Sequence, residues 1–490
     1  MKILTTTVLI IQLTIVCAQS NSHSSFHFDS SDKALASSVR WAKNKALSFA
    51  HDNTDPVGYW YEAALPNREA FCVRDVSHQS IGAEILGLSA HNFNMVLKFC
   101  ANISKSKNYA TYWEINRYDK PAPVDYNNDQ DFWYNLPANF DLIYAIKRIH
   151  NWTGDGRYID TSAIQNFISI SLNEYVKEWG ISSDQAKTRN RFMYVQNKRD
   201  FPENRFGNSR GIPTYYERGS LLSHLGIDLT ASYIAAIKSQ IELSKFQKRA
   251  DLNMEKYQRD LSRELQFLET FWWDTSKNAY KSIIYEDDTF DFYAIGADEA
   301  FLHYLLYFDV LDDYDRIAEI INWYKENQNK LIIELKSYLP ILFYQNNYSD
   351  LANQMIKELC NKSNLRRDYP EISFTVIEHI TRGLMGIDTN EEAIETISRL
   401  GQNQIWASVE GVCIKGTKIG VKHFGNDKTI FKNLGDKNLI WKIKFKGAFN
   451  YVEVNKKRIN LSKGVENGKK ISFALIPVKP KETLTAVALK

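Results

Sequence analysis

The chain has 490 residues, with 61 Lys and Arg against 58 Asp and Glu, and its formal charge is only +3, so no sequence-wide field steers it to nucleic acid or to a membrane surface. That length exceeds one ordinary domain and calls for a single large repeating architecture or for a large unit joined to a smaller one. Beyond Cys17 the cysteines are Cys72, Cys100, Cys360 and Cys413, with no C-x-x-C spacing, which is too sparse for a disulfide scaffold or a zinc site.

At the start of the chain, Lys2 precedes the apolar run Ile3 to Val16 and the small-residue pattern Val16-Cys17-Ala18. This reads as a signal peptide over residues 1–18, and hence as an exported protein, secreted or periplasmic. The run is too short to span a membrane, and no later run of about 18 apolar residues follows.

From about residue 34 to 400, apolar residues recur at i, i+3, i+4 and i+7, the helical period. After a leading helix near Lys33 to His51, helices are predicted to start near 77, 136, 220, 296, 334 and 371, each followed by a second helix near 91, 157, 249, 312, 348 and 389. First members are more apolar and richer in small residues, as in Ser77 to Leu88, whereas second members carry a charged face, as in Met254 to Asp260. An inner and an outer ring follow from that contrast. Connections within pairs are short, and those between pairs are long and strewn with Trp, Tyr, Asp and Glu, the mark of functional loops. They all lead into inner helices and so gather at one end of the barrel, where helix N-termini also favour anions.

The first of these loops holds Tyr59-Trp60-Tyr61 and ends in Arg74-Asp75-Val76-Ser77-His78. Asp75 could simply cap the helix with Arg74 as its partner. Alternatively the pair clasps the hydroxyls of a sugar, with Trp60 and Tyr61 as a stacking platform and His78 beside them. Aromatic residues make up 13% of the chain, which suits sugar rings with apolar faces. The second loop, Asp125 to Asp141, includes Asp129, Asp131 and Trp133; it lacks the glycine and terminal glutamate of a calcium loop and reads as a sugar-contacting surface. No metal is expected.

The third loop ends Tyr215-Tyr216-Glu217-Arg218, and the fourth contains Asp298-Glu299. Tyr215, Asp298 and Glu299 are read as sugar contacts. A glutamate between tyrosines can be raised in pKa by desolvation, as a general acid requires, which makes Glu217 the first acid candidate; capping or pairing with Arg218 is the alternative. In the sixth connection Pro370 is a favourable first helical residue and Glu371 follows it. After about residue 400, alternating stretches such as Gln404 to Val409 and Leu439 to Phe445 predict an antiparallel β domain. The expected domains are thus a catalytic barrel over 24–399 and a β domain over 400–490.

The order of the Trp/Tyr-rich stretch, Arg74-Asp75, Glu217, Glu371 and Gly383-Leu384-Met385-Gly386-Ile387 resembles the (α/α)6 six-hairpin glycosidases, of glucoamylase and α-L-rhamnosidase type. The resemblance covers most of residues 34–400 at the level of architecture. It implies a mainly α (α/α)6 barrel followed by a small β-sandwich-like domain, and a glycoside hydrolase acting on a carbohydrate by inversion. Arg74 and Asp75 would bind sugar, Glu217 would act as acid and Glu371 as base, the two carboxyls about 6.5–9.5 Å apart. The second loop departs from the glucoamylase type, which leaves Asp129 and Asp131 as reserve acids. A lyase recruiting His78, Tyr215 and Arg210, and a non-catalytic glycan-binding protein, are the rivals. No Gly-rich phosphate loop appears, and neither a serine nucleophile nor a cofactor is expected.

Overall fold

The computed structural model describes residues 24–187, 210–215, 223–246, 253–285, 287–293, 301–390 and 392–489. Its longer helices are α1 Lys33–Ser48, α2 Val73–Leu86, α3 Ser89–Ala101, α4 Pro137–Thr153, α5 Ser162–Ile170 and α6 Ile227–Ser244. They continue with α7 Met254–Phe267, α8 His303–Tyr307, α9 Tyr314–Asn327, α10 Leu339–Gln345, α11 Ser349–Leu359 and α12 Pro370–Glu378, which runs on as the π-helical turns His379–Leu384.

The even-numbered helices close a ring. α2 packs on α4 and α12, α4 on α6, α6 on α8, α8 on α10, and α10 on the continuation of α12. Burial follows the ring: every residue of α2 except Arg74 is buried, whereas outer α7 buries only Tyr257, Asp260, Glu264 and Phe267, because an outer helix hides one stripe and an inner helix its whole surface. Small residues let the inner helices approach. At Gly82 a Cβ would lie 2.1 Å from the carbonyl oxygen of Phe374, so α2 and α12 touch backbone to side face.

One expectation fails. Instead of a helix near 389 the chain forms the strands Asp388–Thr389 and Ile394–Ile397. The β-branched Ile394, Thr396 and Ile397 fit a strand, and this one pairs in parallel with Trp441–Lys444. The outer place beside α12 is taken by the leading helix α1, which packs on α12 and α11, so the ring is closed by the two ends of the helical region.

The β region comprises a seven-stranded and a five-stranded sheet. The first includes His27–Ser30, paired antiparallel with the long strand Trp406–Ile414, and the second includes Asp388–Thr389 and Ile394–Ile397. Trp441 of one sheet stacks on Phe431 of the other, ring centroids 4.9 Å apart, so the sheets share a core. The fold is an (α/α)6 barrel followed by sheets that are antiparallel apart from the one parallel pair, Ile394–Ile397 with Trp441–Lys444. Among the described residues no helix is long and apolar enough to cross a membrane.

The long loops are not irregular throughout. Ala70–Cys72 pairs with Glu114–Asn116, Tyr134–Asn135 with Arg210–Ile212, and Ser223–Gly226 with Ile283–Tyr285. Each first-named strand runs into an inner helix, α2, α4 or α6, and so sets the position of that helix's first turn.

Candidate active site

The N-terminal turns of the inner helices converge on a cluster of buried polar side chains. Arg74 lies at its centre. The guanidinium sits 5.0 Å from the centroid of the Tyr215 ring, and its Nε is 3.5 Å from Asp75 Oδ1. Asp75 does not cap α2: the residue before the helix is Cys72, which makes no side-chain cap, and Asp75 Oδ2 instead accepts from the Tyr369 hydroxyl at 2.8 Å. This bond ties α2 to the residue preceding α12.

Pro370 opens α12 as its first residue and Glu371 follows in the first turn, fully buried. Its Oε1 meets His78 Nδ1 at 2.5 Å, one helical turn below Asp75 on α2. Tyr338 stacks flat on the His78 ring, centroids 3.6 Å apart, and Tyr307 meets it edge-on at 5.4 Å. On the facing side Tyr215 donates its hydroxyl to Asp141 of α4, and its backbone N–H donates to Asp228 Oδ2 of α6 at 2.6 Å, where Thr214 Oγ1 also donates at 3.1 Å. Asn135 Nδ2 holds the Thr214 carbonyl at 2.7 Å. The strand pair before α4 thereby fixes Tyr215 over the barrel axis.

Asp75, Asp141 and Glu371 share the charge of Arg74, and burial dominates the titration of all four carboxyls. Burial and the charge of Glu371 push Asp75 up to about 7, against relief from Arg74 and Tyr369. Burial raises Glu371 to about 8, with Arg74 again opposing, and raises Asp141 to about 8 and Asp228 to about 7. His78 is driven well below its ordinary range by burial, with Arg148 and Arg74 adding to it, and so stays neutral. The buried atoms Arg74 Nε, Asp141 Oδ1, Asp228 Oδ1 and Glu371 Oε2 have no hydrogen-bond partner among the described residues. An open donor on Arg74 beside open acceptors on Asp141 and Glu371 matches a polyhydroxylated ligand, since buried polar groups are otherwise paired.

The residues singled out in the sequence divide. Arg74, Asp75, His78, Tyr215 and Glu371 come together. Glu217, Asp298 and Glu299 lie outside the described residues. Trp60 and Tyr61 are corrected from a stacking platform to core: both are 0% exposed, Trp60 stacks on His51 and donates to Asp55, and Tyr61 donates to Asn92. Trp133 is buried beside Ile212 and Trp113 and donates to Asn135. Asp129 accepts from the Tyr126 and Ser106 hydroxyls, and Asp131 accepts from Asn127; both belong to the hairpin Tyr126–Asn128 with Asp131–Phe132. His78 faces Glu371 rather than the opening. No group of three or more His, Cys, Asp and Glu among the described residues is arranged to hold a metal ion.

Asp141 closes the second loop, the one read as a sugar-contacting surface, whereas Asp228 and Glu114 were not singled out. Asp228 looks like an ordinary helix residue, and Glu114 opens its strand, where it is buried, raised in pKa by burial and by Asp125, and held by Arg68 at 2.8 Å. An acid inside an otherwise apolar inner helix is the signal that marks Asp141 and Asp228.

The site and the ring together define an (α/α)6 barrel with a carboxyl-rich mouth. No protein-family model matches the chain, and no curated protein matches it in sequence. Solved structures do match. An α-L-rhamnosidase from Dictyoglumus thermophilum superposes with a TM-score of 0.59 at 11% identity, over 95% of this chain and 50% of that one. An α-L-rhamnosidase from Streptomyces avermitilis, complexed with L-rhamnose, gives 0.58 at 9% identity, over 94% and 42%. A putative kojibiose phosphorylase from the human microbiome gives 0.57 at 10%, over 94% and 64%. The chain spans half or less of the length of the two rhamnosidases. These likenesses establish a shared fold.

Proposed function

We propose that this chain is an exported glycoside hydrolase that removes a terminal sugar by inversion, with Glu371 as general base and Glu217 as general acid. The observation that carries this reading is the cluster of Asp75, Asp141 and Glu371 around Arg74, at the N-terminal mouth of a barrel whose solved likenesses include two rhamnosidases. Arg74 Nε and the open carboxyl oxygens would take the hydroxyls of the sugar. Glu371 Oε1 is committed to His78, which leaves Oε2 to accept the proton of the attacking water. That water bonds to the anomeric carbon as the glycosidic oxygen departs with the proton of the acid.

The test is cleavage of a panel of aryl glycosides and oligosaccharides, beginning with aryl α-L-rhamnoside and run with and without phosphate. Wild type is compared with Glu371→Gln and Glu217→Gln, reading reducing ends, ultraviolet absorbance and the anomer first released. Reducing ends of inverted configuration, lost at least a hundredfold in both variants, are the expected result. Unsaturated products absorbing in the ultraviolet would make the chain a lyase, and strict dependence on phosphate a phosphorylase. With Glu371 raised to about 8, kcat/KM on a neutral glycoside should climb with pH and level off near 8; a fall through that range would instead make Glu371 the acid.

A further inference from the structure

A recess opens beside Arg74 where the fifth connection of the barrel meets the mouth. Its walls include Arg74, Tyr215, Tyr304, Ile332, Tyr338 and Glu334. Its free volume is about 20 Å³, enough for a single water or hydroxyl group and far too little for a sugar ring. Glu334 stands in the first turn of the short helix Ile333–Lys336. Arg366, on the sixth connection, binds its Oε1 and so fixes the carboxylate. Oε2 is buried and has no hydrogen-bond partner among the described residues, and the same holds for Arg74 Nε. Both residues reach the proposed base by charge: after burial, Arg74 holds Glu371 down and Glu334 pushes it up, with Arg366 opposing. Glu334 is thus within electrostatic reach of the group that would activate the attacking water.

We propose that Glu334 is a specificity-determining residue of the sugar site: its free Oε2 accepts one ring hydroxyl of the terminal sugar in this recess, Arg74 donates to the same hydroxyl oxygen, and the walls turn away any larger or charged group at that ring position. The proposal rests on the hydrolase reading for the ligand being a sugar. An open acceptor and an open donor on the walls of one small recess narrow the group that fits. A hydroxyl donates and accepts at once and so satisfies both. A carboxylate would meet the like charge of Glu334, and an ammonium that of Arg74. A methyl group would leave both polar atoms buried and unpaired, at the usual cost of a lost partner. An O-methyl or N-acetyl group exceeds the free volume, and Tyr215, Tyr304 and Tyr338 are themselves buried, so close packing keeps the walls from yielding cheaply.

The experiment takes the full chain and an aryl glycoside it cleaves, with the monodeoxy and mono-O-methyl forms of that glycoside at each ring hydroxyl. Wild type is compared with Glu334→Ala and Arg366→Ala. At one ring position, loss of the hydroxyl should lower wild-type kcat/KM about ten- to a hundredfold, the usual worth of a hydrogen bond to a charged group, and O-methylation should lower it at least as much. Glu334→Ala should show that loss on the intact glycoside, carried by KM with kcat within about threefold. At that same position the deoxy form should cost the variant nothing further, because two changes that remove one contact do not add. Arg366→Ala breaks the ion pair but keeps the carboxylate, so its KM should stay within about threefold of wild type. If Glu334→Ala does not fold, Glu334→Gln, which keeps the shape and loses the charge, takes its place in the same cycle. Losses that add at every ring position, or an Arg366→Ala variant as impaired as Glu334→Ala, overturn the assignment while leaving the hydrolase intact. A wild-type protein that cleaves no glycoside overturns the hydrolase reading, and calorimetry with free monosaccharides, L-rhamnose first, then decides Glu334. Binding weakened about tenfold or more in Glu334→Ala supports the assignment, and binding that is unchanged in the variant or absent from wild type overturns it.

Discussion

Asp75, Asp141, Asp228 and Glu371 each keep their proton to about pH 7 or 8 because burial penalises the ionised form. A carboxyl raised in the folded state contributes its stability below its unfolded value near 4, and that contribution is lost as pH rises through the folded value. The mouth should therefore weaken the fold between about pH 4 and 8, the range in which the proposed base becomes active. Glu371→Gln removes the charge and keeps the shape, so its thermal midpoint should exceed that of wild type by several degrees at pH 8.5 and by little at pH 4.5. Equal shifts at both pH values would mean that the carboxyl is not held neutral by burial. At this scale the sequence was readable where chemistry and helix position coincide. Arg74-Asp75 before a helix and Glu371 after Pro370 were legible as site residues, but the burial of Trp60 and Tyr61 was not, because an aromatic in a loop looks the same whether it faces sugar or core.

Among the elements, the contact of α2 with α12 matters most, because it brings Asp75 to Tyr369 and His78 to Glu371. Gly82 makes it possible. A helix-interior Gly→Ala change ordinarily stabilises by about 0.5–1 kcal/mol, but here the added Cβ would sit 2.1 Å from the Phe374 carbonyl oxygen, so the helices must part. Gly82→Ala should cost about 1–3 kcal/mol or more in urea unfolding and should abolish activity as well. Gly87→Ala is the control: its φ of +90° makes alanine strained, yet its nearest neighbour is 4.0 Å away, so a loss of about 1 kcal/mol with activity retained is expected. Equal losses from the two variants would remove the special role given to the α2–α12 approach. The helical period made most of these elements legible before any coordinates. It could not reveal that α1 completes the outer ring, because amphipathicity marks a buried face without naming what covers it. The stretch after Asp388 looked helical by composition, and its parallel partner lies some fifty residues further on, out of reach of any local pattern.

At the scale of the whole molecule, the sheets hold the end of the barrel opposite the proposed active mouth. Trp152, on the last turn of α4, donates to the Cys413 carbonyl at 2.7 Å and accepts at its own carbonyl from the Lys415 N–H at 2.8 Å. His423 reaches the Met385 carbonyl at 3.0 Å, and Glu466 anchors Arg399, whose guanidinium also holds the carbonyls of Arg382 and Gly383. The strand His27–Ser30, just before α1, pairs among the described residues only with Trp406–Ile414. A change from helical to strand pattern near residue 400 is visible in the sequence, but not that strands from both sides of that point join the same sheets, since each is too short to stand out. A fragment of residues 24–399 would therefore expose the Trp152 end of α4 and leave one sheet edge and several buried donors unpaired, each costing about 1–3 kcal/mol, against a total stability of only about 5–15 kcal/mol for a typical fold. Expressed alone, it should aggregate or melt without a cooperative transition, whereas the full chain unfolds in one step. A soluble fragment with a sharp melt and intact glycosidase activity would show that the barrel closes by its own helices and that the sheets are only appended to it.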